Sequence, residues 1–294
     1  MITNLVLSGG ANKCLVFVGA LKSLEELQLL PHITNYAGTS GGAIIALLLV
    51  LGYSVNNIIE LYHTLDLYDL LNINSDNILH FFDNYGLDNG DKIVNIAKIV
   101  IRKKTHNENI TFKELYAQTH KHLVITGTCV EKETVEYFDH IHTPDMPVYL
   151  ALRISISLPF IFNRVMYNNM TYVDGGLLEY MPIHYFKNIE QTLALGIKNN
   201  STQTIDPIHS IDAFIYKLLC ALYRVHQDNL LQTFKKQIII YDIDVNGTEK
   251  LDLSTKLNII DIGYNETNLF FKDIIIQHTI DGMIDSIIQH TLNM

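Results

Sequence analysis

Three short glycine-containing segments hold the residues of this sequence best suited to chemistry. The first is Gly38-Thr39-Ser40-Gly41-Gly42, a GxSxG pattern. A nucleophilic serine benefits from a tight turn between a strand and a helix, which lifts its hydroxyl clear of the backbone. Flanking glycines permit strained angles and close approach of a substrate. The helix that follows then points its positive end at the oxyanion formed when the serine attacks a carbonyl. Alone the pattern is weak, because about one chain in ten of this length carries it by chance. Its surroundings strengthen it: residues 35–38 read as a strand, and the apolar run 43–51 has no polar face, which marks a helix buried all round.

The second segment is Ser8-Gly9-Gly10-Ala11-Asn12-Lys13, which follows an apolar strand at residues 4–8. Successive backbone N–H groups in such a loop form an anion-binding nest. One reading is a phosphate cradle, but the loop lacks both the GxxxxGK[ST] spacing and a full GxGxxG. The favoured reading is a set of oxyanion donors for Ser40, so close by in sequence. The third segment is Asp174-Gly175-Gly176 after Tyr172-Val173. On its own Asp-Gly is a common turn; beside the other two signals, Asp174 reads as the acidic partner of the serine.

Composition narrows the classes further. Of 294 residues, 48% are hydrophobic and 18% charged, which suits a large α/β core. The formal net charge of −10 argues against a nucleic-acid partner and against simple attraction to anionic lipid, which takes clustered Lys and Arg. The one basic cluster, Arg102-Lys103-Lys104, reads as a solvated helix end. Cys14, Cys129 and Cys220 are scattered, so a reducing compartment is expected. Residues 1–5 show no basic stretch leading into a long apolar one, so no secretory signal is expected. The run 43–51 is too short for a bilayer, which takes about 20 residues. The expected location is cytoplasmic, or peripheral at a membrane met from the side.

The elements that must position these residues follow from patterning. A helix is predicted over 15–27 and another after Ser54, with Val55, Ile58, Ile59, Tyr62 and Leu65 at helical spacing. Thr111-Phe112-Lys113-Glu114 is a capping box. Residues 122–130 and 134–138 alternate like a hairpin. Pro147 opens a helix that stops before Leu158-Pro159, since the residue before proline disfavours helical angles. Buried strands are expected at 192–197 and 237–243. A closing amphipathic helix carries Phe270, Phe271, Ile274, Ile275, Ile284, Ile287 and Ile288 on its inner face. No repeat or linker interrupts residues 1–294, so one domain is expected. Alternating strands and helices indicate an α/β fold with a mainly parallel sheet covered on both faces.

Taken together, the sequence resembles the patatin-like phospholipases. The glycine loop with its basic Lys13, the GxSxG elbow and the distant Asp174-Gly175-Gly176 occur in that family's order. Tyr85-Gly86-Leu87, Thr111 to Leu115, Arg153-Ile154-Ser155-Ile156-Ser157-Leu158-Pro159 and residues 177–182 also resemble family segments, so the likeness spans about residues 2–185. The resemblance implies a three-layer α/β/α fold and hydrolysis of acyl esters in phospholipids or related glycerolipids. It implies a Ser40–Asp174 dyad, oxyanion donors at Gly9, Gly10 and Ala11, and supporting roles for Lys13, Arg153 and Pro159. It implies no metal or organic cofactor, a lipid substrate and peripheral membrane contact. This chain departs from the family where Ala11 and Cys14 replace loop glycines. An alanine forced to positive φ costs about 1–2 kcal/mol.

Two rival readings remain. The altered loop allows an impaired lipid or acyl-chain binder on the same fold. A carboxylesterase with a histidine base is the other: His184, His209, His226, His278 and His290 all follow Asp174, in the Ser–acid–His order of α/β-hydrolases. Against it, Ser40 comes after only one or two strands. The His-x-His pairs, His120/His122 and His140/His142, lack a third ligand at helical spacing and are not read as metal ligands.

Overall fold

The computed structural model describes residues 1–64, 67–71, 81–198, 211–245 and 250–292. Its centre is an eight-stranded sheet in the order β10-β9-β1-β2-β4-β8-β7, with β5 pairing on β4. The strands are β1 (Asn4–Leu7), β2 (Asn35–Gly38), β4 (His122–Cys129), β5 (Thr134–Phe138), β7 (Val165–Tyr167), β8 (Met170–Asp174), β9 (Thr192–Lys198) and β10 (Ile238–Asp242). From β10 to β4 every pairing is parallel, while β5 and β8 run antiparallel to β4. A small separate pair joins β3 (Gly86–Asp88) to β6 (Phe160–Phe162).

Both faces of the parallel region are covered, which is why its strands read as unbroken apolar runs. Strand periodicity divides them. Leu5, Leu7, Tyr36, Leu123, Ile125, Leu193 and Leu195 enter one core, whereas Val6, Ala37, Val124 and Ala194 enter the other. The larger core lies beneath α1 (Leu15–Glu26), α2 (Gly41–Val50) and α3 (Val55–Thr64). The smaller one is closed by Tyr180, Met181, Ile183 and Leu230. The result is the expected three-layer α/β/α arrangement.

Further helices include α4 (Asp91–Thr105), α5 (Phe112–Thr119), α6 (Val148–Ser155) and α7 (Ile211–Phe234). The closing helix, α8, spans Leu253–Leu292. Phe270 and Phe271 of α8 pack against the larger core. The side chains of Ile274, Ile275, Ile284, Ile287 and Ile288 lie outside the described set, as does Leu65. Two glycines let α8 reach α1. A Cβ on Gly19 would sit 1.8 Å from the Ile260 carbonyl oxygen, and one on Gly263 would sit 1.9 Å from that of Val16. The capping expectations hold. The Ser54 hydroxyl accepts from the Asn57 amide at 3.2 Å. The Thr111 hydroxyl accepts from the Glu114 amide, and the Glu114 carboxylate from the Thr111 amide. Among the described residues no helix is long and apolar enough to cross a membrane.

Candidate active site

Parallel strands β1 and β2 deliver the glycine loop and the serine side by side, at the carboxyl ends where open α/β sheets bind ligands. β2 ends at Gly38, α2 begins at Gly41, and Ser40 between them sits at φ 53, ψ −123. This is a sparsely populated region for a residue with a side chain, as at other functional sites. The strain is carried by the serine itself, since neither Gly41 nor Gly42 has positive φ. The glycines serve close approach instead: a Cβ at Gly42 would lie 2.4 Å from the Ser8 carbonyl oxygen. The turn is pinned from several sides. The Ser40 amide donates to Ser155 Oγ at 2.9 Å. Thr39 turns inward, sharing a 2.8 Å hydrogen bond with Thr126 Oγ1 and donating to the Glu179 carbonyl at 3.0 Å.

Asp174 closes β8 and is buried. Its amide donates to the Ser157 carbonyl at 2.8 Å, and its own carbonyl accepts from Thr128 Oγ1 at 2.9 Å. The carboxylate accepts from the Gly176 amide at 2.7 Å and from the Ser40 hydroxyl. Burial pushes its carboxyl up to about 7, against the opposing pull of those two hydrogen bonds. A carboxylate titrating there is a competent general base near neutral pH. The three predicted segments therefore converge, with the Ser40 hydroxyl close enough to Asp174 to affect its titration.

The glycine loop departs from expectation in one donor. The Gly9 amide is already engaged, donating to the Tyr180 carbonyl at 3.0 Å, so it is not aimed at an oxyanion. Gly10 is extended, at φ 165, and Ala11 takes φ 49, the strained conformation expected of it. A short 3-10 turn, Ala11–Cys14, follows and buries Lys13. Cys14 packs its sulfur under Gly41 and donates to the Ser8 carbonyl at 3.6 Å. Burial, followed by the nearby Asp174 charge, pushes the thiol far up, so it is no rival nucleophile.

Arg153 acts at one remove. Its guanidinium is buried and donates to the carbonyls of Asn89 (3.1 and 2.9 Å) and Asn163 (3.0 Å) and to Ser157 Oγ. Ser157 in turn accepts the Asp174 amide through its carbonyl, so Arg153 braces the segment that holds the aspartate. Burial lowers Arg153 to about 10, which leaves it charged at neutral pH. Pro159 ends the same segment and hands the chain to Phe160, which is exposed and strained at φ 68.

An apolar, partly open cavity lies among α2, α3, α4 and α6. Ile44, one turn beyond Ser40, borders it, followed by Leu47 and Leu48. Leu158, Pro159, Phe160, Ile161 and Phe162, which the sequence also offered as a cleft lining, do not line it. Ile161 and Phe162 instead pack with Ile44, Leu70 and Ile93 in a small cluster alongside. Tyr62 also lines the cavity, and its hydroxyl is the one buried side-chain polar atom without a hydrogen-bond partner among the described residues.

Ser155, Thr126, Thr128 and Tyr180 were not foreseen as site residues. The signal for the two threonines is their place as polar residues on alternate positions of an otherwise apolar strand, His122 to Val130. Nothing local marks Tyr180, whose role is a backbone carbonyl. Among the described residues no histidine hydrogen-bonds Ser40 or Asp174. His209, and the side chains of His226, His278 and His290, lie outside the described set. One member of each His-x-His pair, His122 and His140, comes together beside Asp139.

Residues 5–187 match the patatin-like phospholipase family. An uncharacterised protein of Acanthamoeba polyphaga mimivirus is 29% identical over 274 residues, covering 89% of this chain and 91% of its own. A probable lipid hydrolase of Invertebrate iridescent virus 6 is 35% identical over 182 residues, 61% of each chain. Among solved structures, VipD from Legionella pneumophila superposes with a TM-score of 0.63 at 16% identity, covering 92% of this chain and 67% of that one.

Proposed function

The chain belongs to the patatin-like phospholipase family, and from that premise we propose that it cleaves carboxylic ester bonds of phospholipids or related glycerolipids through a Ser40–Asp174 dyad. The observation that carries the reading is the strained serine elbow hydrogen-bonded to a buried aspartate titrating near 7. Ser40 Oγ attacks the ester carbonyl carbon as Asp174 takes its proton. The amides of Gly10 and Ala11 stabilise the oxyanion. The intermediate collapses, the departing alkoxide recovers the proton from Asp174, and the acyl group stays on Ser40. Water then attacks the acyl-enzyme with Asp174 again as base.

The apolar cavity along α2 suits the acyl chain. Leu48 lies about 12 Å beyond Ser40 at 1.5 Å rise per residue, so the cavity runs away from the reacting carbon. A set of exposed side chains, Phe82, Tyr85, Phe160 and Met166, flanks the β3–β6 pair next to the segment that braces Asp174. We assign this patch to contact with the lipid surface. Apolar insertion explains how a chain of net charge −10 meets a membrane without a basic patch.

Incubation with a mixed lipid extract, and identification of the released fatty acids and lyso-products, tests the reading. Wild type should release free fatty acid and react with a fluorophosphonate probe, and Ser40→Ala should do neither. Probe labelling without any ester turnover would favour the impaired binder, for which strained Ala11 is the supporting observation.

A further inference from the structure

The two His-x-His pairs of the sequence are left unused by the hydrolytic site, and folding brings one histidine from each to a single place. His122 opens β4, at the end of the sheet opposite Ser40, while Asp139 and His140 follow β5 directly. The ligating atoms of His122, Asp139 and His140 all lie within 4.8 Å of one another. We propose that these three side chains form a binding site for a divalent transition metal of the zinc type.

Three independent features of the geometry support it. First, the carboxylate is fixed. Asp139 Oδ1 accepts from the amides of Ile141 (2.6 Å) and His142 (2.8 Å), and Oδ2 accepts from His142 Nδ1 at 2.7 Å. Outer hydrogen bonds of this kind orient metal-ligating carboxylates in known sites. Second, ring packing helps hold both imidazoles in place. The His140 ring stacks on Tyr116 at 3.8 Å and 2°, and His122 meets it edge-on at 4.5 Å. Third, the space between two of the ligands is bridged by one hydroxyl. Tyr185 Oη lies 2.9 Å from Asp139 Oδ2 and 3.3 Å from His122 Nε2. It spans the same pair of atoms that a cation would join.

Zinc bonds of about 2.0–2.1 Å place tetrahedral ligand atoms roughly 3.3 Å apart, so ring rotations that shorten the present separations by an ångström or so complete the site. The Tyr185 hydroxyl withdraws, and solvent fills the fourth position. Two imidazoles and one carboxylate suit zinc, cobalt or nickel, whereas magnesium and calcium prefer all-oxygen sets. The metal would clip the start of β4 to the segment after β5. It takes no part in ester cleavage, because it stands at the far end of the strand.

Cobalt titration of the metal-free full-length protein tests this, since a four-coordinate site gives intense visible absorption. One equivalent should bind more tightly than about 10 µM and be displaced by zinc. His140→Ala and Asp139→Asn should each abolish the bands, because a ligand is lost, and Tyr185→Phe, which removes the competing hydroxyl, should tighten binding. His106→Ala, on the cap of α4, should leave binding unchanged. His140 is only partly buried, so its variant remains informative if Asp139→Asn fails to fold. Absence of the visible bands, or bands that persist in His140→Ala, would overturn the site. So would Tyr185→Phe binding more weakly than wild type, which would make Tyr185 a partner and not a competitor.

Discussion

Two aspartates, Asp174 and Asp139, sit on the same β4-centred part of the sheet and are both buried, yet their carboxyls move in opposite directions. Asp174 has a backbone amide and the Ser40 hydroxyl as donors, and burial pushes it up to about 7. Asp139 has two backbone amides, His142 and the Tyr185 hydroxyl, and these hold it below its ordinary value although burial opposes them. Burial sets the cost of a charge, and the number of donors decides whether the charge stays. A base for catalysis needs the under-supplied case, and a structural anion the fully supplied one.

The sharpest way to break this comparison is to neutralise each residue in place. Asp174→Asn should lower kcat/KM by about 10⁴-fold, on the scale seen when the aspartate of a serine triad is replaced, with the fold kept. Asp139→Asn should do the reverse. It should cost about 2–4 kcal/mol of stability, because a charged acceptor of several donors is lost, while activity per folded molecule stays near wild type. Urea unfolding and initial rates on one soluble ester separate the two. If Asp139→Asn lost activity while remaining folded, the division of roles would fall.

The pH dependence sharpens the same point. Only ionised Asp174 accepts a proton, so kcat/KM should rise with pH through about 7 and then level off. For stability the sign is opposite. The native state keeps the Asp174 proton up to about 7, whereas the unfolded chain releases it near the ordinary carboxylate value of 3.8. Between those values the native state binds more protons. This residue's contribution to stability therefore falls as pH rises through the window, and Asp174→Asn should remove the slope. A rate profile flat from pH 5 to 9 would remove Asp174 as the base.

A smaller effect is expected at Ala11. With φ at 49, alanine is strained and glycine is not. Ala11→Gly should add roughly 1 kcal/mol of stability and raise kcat, and Ala11→Val should lower both. A glycine variant no faster than wild type would show an oxyanion loop already adapted to alanine. The smallest effect belongs to Tyr62. Its hydroxyl is buried without a partner among the described residues, so Tyr62→Phe should be neutral or stabilising by up to about 1 kcal/mol in a thermal melt. A clear loss of stability there would reveal a partner for the hydroxyl.

Much of the catalytic end could be read in the residues. β2 has the boundaries expected of it, and the first strand and helix differ by a single residue, because a buried parallel strand next to glycine has few other ways to fold. Residue type and neighbouring turns single out Ser40 and Asp174 as the proposed nucleophile and base. What escaped depends on partners far away in the chain. Gly9 looks like its loop neighbours until the Tyr180 carbonyl, 171 positions on, claims its amide. The short strands β3, β6 and β7 have three residues each, too few for alternation to show. His122, Asp139 and His140 gave no metal signal because a hairpin, not a helix face, brings them together.

The register of β4 has a further consequence. It sets Gly38 opposite Ile125 on one side and Asp174 opposite Gly127 on the other. The strand supplies neither Ser40 nor Asp174, yet it fixes the offset between them. Because side chains alternate along a strand, a slip of one residue turns every one to the other face. A single-codon insertion or deletion between Ile125 and Gly127, where neither Ser40 nor Asp174 is encoded, should therefore shift the two relative to each other. The hairpin turn a few codons later, at residues 130–133, lies beyond this register, although Val130 and Glu131 still tie it to Thr171 of β8.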